Sequence, residues 1–287
     1  MLPVLFALCG ALSNALATVL QHRAAQTVRR SEGFRFGLLL DLAHRPVWVA
    51  GIVAVTAAAL FQAVALARGA LSVVQPIFVL ELPFALVISA LMSRRNLPGQ
   101  AWTAVACMVV GLGLALGAAA PTPGTMHVPM SRWIPALAGC GAAIAVLCTV
   151  ALRRPPGGVR AACLAGAAAV GNALTAALIK SSTHLLDVHG LVAFLTAWQT
   201  YGFAIAGVGA LYLLENALQS GPLVASQPAL TLGDAGVSLL LGVLLYEETL
   251  RAGLWLIPET VGVALIVAGV LVLARTPLTR TLMAPAG

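Results

Sequence analysis

ALARGALSVVQPIFVL (Ala65 to Leu80) aligns without a gap against ALQSGPLVASQPALTL (Ala217 to Leu232), and seven of the sixteen positions are identical, among them Gln75/Gln227 and Pro76/Pro228. Earlier in each half, SNALATVL (Ser13 to Leu20) matches GNALTAAL (Gly171 to Leu178). The chain therefore reads as two copies of one unit. Both copies lie in a nearly unbroken series of apolar segments. Sixty per cent of the 287 residues are hydrophobic, 9% are charged and the mean hydropathy is +0.99. A soluble domain carries roughly a quarter charged residues. The chain is thus expected to be all-α, a polytopic bundle of membrane helices, because backbone amides in hydrocarbon must be satisfied within their own segment.

Crossing about 30 Å of hydrocarbon takes roughly 20 apolar residues. Nine segments meet that length: 2–22, 46–67, 71–92, 100–119, 133–152, 159–181, 190–214, 221–245 and 254–274. No Lys or Arg precedes the first, so it lacks the basic start of a secretory signal peptide and is expected to stay in the protein. FRFGLLLDLAH (Phe34 to His44) is too short to cross, and its aromatic, Arg and Asp content suits a helix lying at the interface.

With an outside N-terminus, twelve of the sixteen basic residues fall on the cytoplasmic side, leaving Arg68, Arg132, Lys180 and Arg251 outside. That is the direction of the positive-inside rule, and it puts the C-terminus in the cytoplasm; fifteen Arg to one Lys points separately to a GC-rich bacterial genome, and so to a bacterial inner membrane. Spans one to four match spans six to nine and the fifth connects them, so the second copy enters from the opposite face. Residues 1–119 make the first four-helix unit, with the interfacial segment 23–45. Residues 120–158 hold a loop and the connector, and 159–287 hold the inverted second unit and a short tail. Inverted duplication of this kind is a transporter architecture, with the site where the copies meet.

Two acids lie halfway along spans: Glu81 in the third and Asp234 in its counterpart, the eighth. An acidic side chain at a helix centre costs about 2.5–3.5 kcal/mol on a translocon-based scale, so such a residue by default faces a polar cavity and marks a substrate or proton site. The alternative is a bond to a neighbouring helix. Upstream of each acid stands Gln-Pro. Pro76 and Pro228 lack an amide hydrogen and displace the carbonyls of Ser72 and Val224, which kinks the helix and exposes backbone that Gln75 and Gln227 can join in lining a site. Asn14 and Asn172, from the other repeated motif, suit either a substrate or interhelical bonding. Gln62, Gln199 and Tyr201 sit in the two remaining equivalent helices, with Trp198 beside them as a stacking surface or plain packing.

Lys180, the single lysine, is expected to snorkel to the headgroups, with a counter-ion role for Asp234 as the alternative. Gly113 and Gly117 form a GxxxG, and Gly262 and Gly269 lie a heptad apart; both pairs read as close helix packing. The five cysteines fall in apolar spans without CxxC spacing, which argues against zinc and disulfides. The histidines show no ligand spacing. The net charge of +7 is dispersed and gives no nucleic-acid stripe. Neither a cofactor nor a metal is expected.

A helix with a central Pro that ends in an acid, followed by a glycine-punctuated helix, resembles the drug/metabolite transporter superfamily, particularly its EamA-type members. The second copy carries the pattern in Pro228, VSLLLGVLLYEETL with Glu247 and Glu248, and VGVALIVAGVLVL with Gly262 and Gly269. In the first copy Arg95 and Asn96 occupy the place of the terminal acid, so that family feature carries over to Glu247 only, as a structural residue. Most of the superfamily has ten spans. Nine spans with a shortened first half are more distantly similar to the NIPA-type magnesium transporters. The resemblance implies a secondary transporter, not an enzyme, whose partners are a small molecule or ion and the lipid bilayer, with homodimerisation left open. An intramembrane aspartyl protease is disfavoured, since Asp234 follows Thr231, Leu232 and Gly233 rather than completing a GxGD motif.

Overall fold

The computed structural model describes residues 2–26, 46–94, 96–122, 124–251 and 253–275. The expected interfacial helix at Phe34 to His44 lies outside them, as does Arg95. The described residues form α1 (Leu2–Gln26), α2 (Pro46–Arg68), α3 (Leu71–Ile77), a 3₁₀ turn (Phe78–Leu80), α4 (Glu81–Ser93), α5 (Gly99–Ala119), α6 (Met130–Leu152), α7 (Gly158–Thr196), α8 (Trp198–Ser220), α9 (Leu223–Tyr246), a 3₁₀ turn (Gly253–Trp255) and α10 (Leu256–Arg275). Taking α3 to α4 as one span, nine among the described residues are long and apolar enough to cross a membrane. The protein is an all-α polytopic bundle. Prolines mark helix starts: Pro98, Pro129 and Pro222 stand extended immediately before α5, α6 and α9.

The packing repeats with the sequence. α1 lies along α2 as α7 lies along α8, α1 meets α3 and α4 as α7 meets α9, and the equivalent helices α5 and α10 pack on each other. Gly69, at the end of α2, sits where an added Cβ would be 2.7 Å from Pro3 at the start of α1. In the second copy the N–H of Gly157, just before α7, donates to Ser220 O at the end of α8 (2.8 Å), and Gly221 abuts Gly157. Gly69 and Gly221 are equivalent in the repeat, yet they lie at opposite ends of the bundle. α9 starts beside Gly221 and finishes, 24 residues or about 36 Å later, beside Leu71. The second copy is therefore inverted.

Small residues set the closest approaches. A Cβ on Gly111 would fall 2.6 Å from Gly262 O, one on Gly262 2.6 Å from Ala115 N, and one on Gly269 2.6 Å from Met108 Cγ. Gly262 and Gly269 thus pack α10 against α5 as expected. Gly113 and Gly117 do not, since nothing lies within 4 Å of either; the α5 side of the crossing uses Gly111, on a different face of the helix. α7 is the central helix, with Ala161, Ala165, Ala168, Ala169, Ala173 and Ala177 all buried. α6 and α8 are peripheral and expose Ile134, Val146, Ile205, Val208 and Leu211, an apolar surface suited to lipid.

One boundary differs from expectation. The sixth span runs on past 181 to a break at Gly190 (φ 79), and the seventh begins at Trp198 instead of 190. Thr200 and Tyr201 hydroxyls donate to Phe194 O (2.6 Å) and Leu195 O (2.8 Å), tying the linker between them.

Candidate functional site

Two prolines shape the first-copy half of the site. Pro76 lies inside α3, and Pro83 is the third residue of α4. A proline ring is tolerated in the first turn of a helix but clashes with the carbonyl four residues back, here that of Val79. The α-helical bond to Val79 O is thereby lost. The chain tightens there into the 3₁₀ turn Phe78–Leu80, with right-handed helical backbone on either side, so that Leu71–Ser93 remains one span and Glu81 follows the turn directly.

Glu81 is met by α1. Asn14 Nδ2 donates to its Oε2 at 2.8 Å, and Thr18 Oγ1, one turn further along α1, donates to Oε1 at 3.3 Å. Asp234 lies at the middle of α9. Its nearest polar partner is Ser238 Oγ, at 3.4 Å on its own helix. Asp234, Ser238 and Gly242 follow one another at four-residue spacing and so share a face. That face meets α3, because a Cβ on Gly242 would lie 3.3 Å from Ser72 N. Gln75 is buried in this seam with its Nε2 lacking any protein partner, as does the Oγ of the fully buried Ser72. Glu81 and Asn14 are thus brought together at mid-depth with Thr18, while Asp234 is bonded to Ser238 on its own helix and Gln75 lies buried on α3; neither hydroxyl is among the expected residues.

Other expected members stand apart. Asn172 is partly buried on α7, but the acid of its own half is bonded to Ser238, not to it. Gln227 and the buried Pro228 lie within an unbroken α9, so the second Gln-Pro opens no gap. Gln199 lies at the very start of α8, away from mid-depth, while Gln62 stands on α2 within a turn of the middle of its span. Tyr201 is 61% exposed and its hydroxyl is engaged by the linker, which removes it from the site. Trp198 stacks edge-on against Trp133, with ring centroids 5.1 Å apart; it is packing.

Lys180 does not snorkel. It is 1% exposed and donates to Glu248 Oε1 at 2.5 Å, with its ammonium 4.5 Å from the Tyr246 ring centroid. Glu248 also accepts from the backbone amides of Leu71 (2.6 Å to Oε1) and Ser72 (2.8 Å to Oε2). The structural acid at the end of α9 is therefore Glu248, and Glu247 is the exposed one, paired with Arg132. The backbone decides between them. Glu247 takes a left-handed conformation (φ 55) that turns the chain back, and the Glu248 N–H then closes onto Gly242 O at 3.1 Å. Arg132 donates to Glu247 and holds its carboxyl below the ordinary carboxylate range. Among the described residues no group of three His, Cys, Asp or Glu converges as a metal site.

No family model matches the chain, and no solved structure matches it. It is similar over its whole length to an uncharacterized protein of Corynebacterium glutamicum, 31% identical over 298 residues that cover 100% of this chain and 98% of the relative.

Proposed function

We propose that this chain, which belongs to one family with the Corynebacterium glutamicum protein, is a secondary transporter that moves a small metabolite or drug-like molecule across the membrane by alternating access. The observation that carries the reading is the pair Glu81 and Asp234. One acid comes from each half, both stand midway along their spans, and Glu81 follows a 3₁₀ turn with Asn14 and Thr18 on its carboxylate. Intramembrane acids are retained where they act on a substrate, ion or proton, and transporters built of inverted repeats hold their substrates near the midplane where the repeats meet.

In this mechanism the two halves rock about the acids. The substrate's polar groups meet the free amide of Gln75 and the carboxylates, and protons taken up by Glu81 or Asp234 balance its movement in the opposite direction. Superfamily resemblance favours export. The charge bias favours an N-terminus outside, the excess of Arg over Lys favours a bacterial inner membrane, and a cysteine tag at each end, labelled in intact cells, reports the orientation.

The test begins with a thermal-shift screen of metabolites and of Mg²⁺ at two pH values, since a ligand that binds only the folded protein raises its melting temperature. Transport of the stabilising compound is then measured in proteoliposomes under a pH gradient. Glu81→Gln and Asp234→Asn are expected to abolish it while leaving expression intact. Wild-type rates in both variants overturn the assignment, and Mg²⁺ uptake without any organic substrate replaces it with a divalent-cation carrier.

A further inference from the structure

Outside the midplane site, one cluster is as deeply buried and more densely bonded: Lys180, Tyr246, Glu248 and the first two amides of α3. It joins the halves. Leu71 and Ser72 belong to the first copy, whereas Lys180, Tyr246 and Glu248 belong to the second. Further bonds at the same end link the loop after α5 to the chain around Tyr246 to Arg251. Arg251 N donates to Ala119 O (2.9 Å), Thr125 N to Tyr246 O (2.7 Å), and the Thr122 and Thr249 hydroxyls meet. Tyr246 is itself fixed to α7, its hydroxyl donating to Ala177 O at 2.5 Å with Ser181 Oγ 2.8 Å away.

A buried ion pair is not a strong source of stability, because apolar residues of similar volume serve as well. Here its arrangement fits a contact that is made and broken. If the start of α3 withdraws, Glu248 keeps Lys180, which lies in its own half, so neither charge is left alone. Only the Leu71 and Ser72 amides lose a partner, at an end of the bundle where water can replace it. α3 has seven residues and joins Glu81 through the 3₁₀ turn, and a 3₁₀ stretch within a helix often marks a hinge. Displacement of α3 therefore carries Gln75 with it and reaches Glu81.

We infer that Glu248, held by Lys180 and bonded to the α3 amides, is the gate that closes this end of the bundle over the midplane acids and that it opens in each transport cycle. The inference rests on the transporter reading above.

The experiment needs no substrate. The five native cysteines are replaced by alanine, Gln75→Cys is introduced behind the gate, and its modification by a charged methanethiosulfonate is timed on the purified protein. Ala165→Cys, buried in α7 away from the gate, reports the integrity of the fold. With the gate intact, both positions react slowly. A closed protein whose open state is populated at roughly 0.1–10% leaves room for a rise of about tenfold or more. Adding Glu248→Gln is expected to give that rise at Gln75→Cys while Ala165→Cys stays protected, and the volume-filling pair Lys180→Met with Glu248→Leu is expected to do the same. Unchanged labelling at Gln75→Cys in both backgrounds overturns the gate. Equal acceleration at both cysteines also overturns it, since the cluster is then a static tie. Normal transport by the Glu81→Gln and Asp234→Asn variants removes the underlying reading instead, whatever the labelling shows.

Discussion

Glu248→Gln is the substitution whose cost the geometry fixes most tightly. The carboxylate accepts three bonds, from Lys180 Nζ and from the amides of Leu71 and Ser72, in a site that is 1% exposed. Glutamine has the same length, but its Oε1 can replace only one carboxylate oxygen. Its NH₂ then faces a donor, and the Lys180 ammonium is left buried without a counter-charge. Removing one member of a buried pair costs about 3–5 kcal/mol. At about 2–4 °C per kcal/mol for chains somewhat shorter than this one, the melting midpoint in detergent falls by roughly 6–20 °C. Lys180→Met is expected to act similarly, and Lys180→Met with Glu248→Leu to recover most of the loss, because neither charge then remains. Tryptophan fluorescence suits the measurement, since Trp133 and Trp198 stack in the bundle. Glu247→Gln, at the exposed neighbour, should lower the midpoint only slightly, by at most about 2 °C. If the two single-charge variants melt within about 2 °C of the parent, or if the double change is the sum of the singles, the pair does not hold this end as described.

Asn14→Ala removes a donor from Glu81 and should lower transport much more than Asn172→Ala, whose side chain is not on Asp234; equal losses in proteoliposomes would return Asn172 to the site. Gly262→Val forces apart backbones whose atoms already lie 2.6 Å from the added Cβ, and should destabilise by about 1–3 kcal/mol, whereas Gly113→Ala should melt at or slightly above the parent. The Arg132–Glu247 tie has a carboxyl held below its ordinary value. Its contribution is therefore complete above the unfolded value of about 4.3 and is lost only as pH falls through the lower folded one. The small difference between parent and Glu247→Gln should stay constant from pH 8 to about pH 5 and close only under stronger acid; a difference that vanishes near neutrality contradicts the pairing.

Spans and inversion were legible in the sequence because both follow from one-dimensional patterns: runs of apolar residues, and a repeat whose members are separated by an odd number of crossings. Midplane acids were legible for the same reason, since a carboxyl in the middle of an apolar run has few places to go. Position along a helix does not reveal which side of it a residue occupies, and this is where the reading failed. Tyr201 faces outward and Gly113 packs on nothing. Lys180 shows the same limit in reverse. Placed near a span end, it has the length to reach headgroups, but its partner is a carboxylate 68 residues away. That carboxylate comes inward only because Glu247 adopts a left-handed conformation at the end of α9. Two adjacent glutamates carry no local mark of which one turns in.

The duplicated Gln-Pro shows how a single further residue makes the halves unequal. Pro76 and Pro228 occupy equivalent positions, each within a helix, yet α3 stops soon after Pro76 and α9 runs on for 24 residues in all. One internal proline costs a hydrogen bond and bends a helix, and neighbouring helices can absorb that. A second proline seven residues later changes the outcome. Pro83 frees the carbonyl of Val79, inside the turn, as Pro76 frees that of Ser72 upstream, so two carbonyls of this stretch lack their usual α-helical donors where the tighter turn forms. At the corresponding place the second copy has Ala235 and no break. An acid one residue from that alanine is bonded within a regular helix to Ser238, whereas Glu81 follows the tightened turn and is met from α1 by Asn14 and Thr18. Asymmetry at the site therefore originates in Pro83, and Pro83→Ala should let the helix run through Phe78–Leu80 and draw Glu81 away from Asn14.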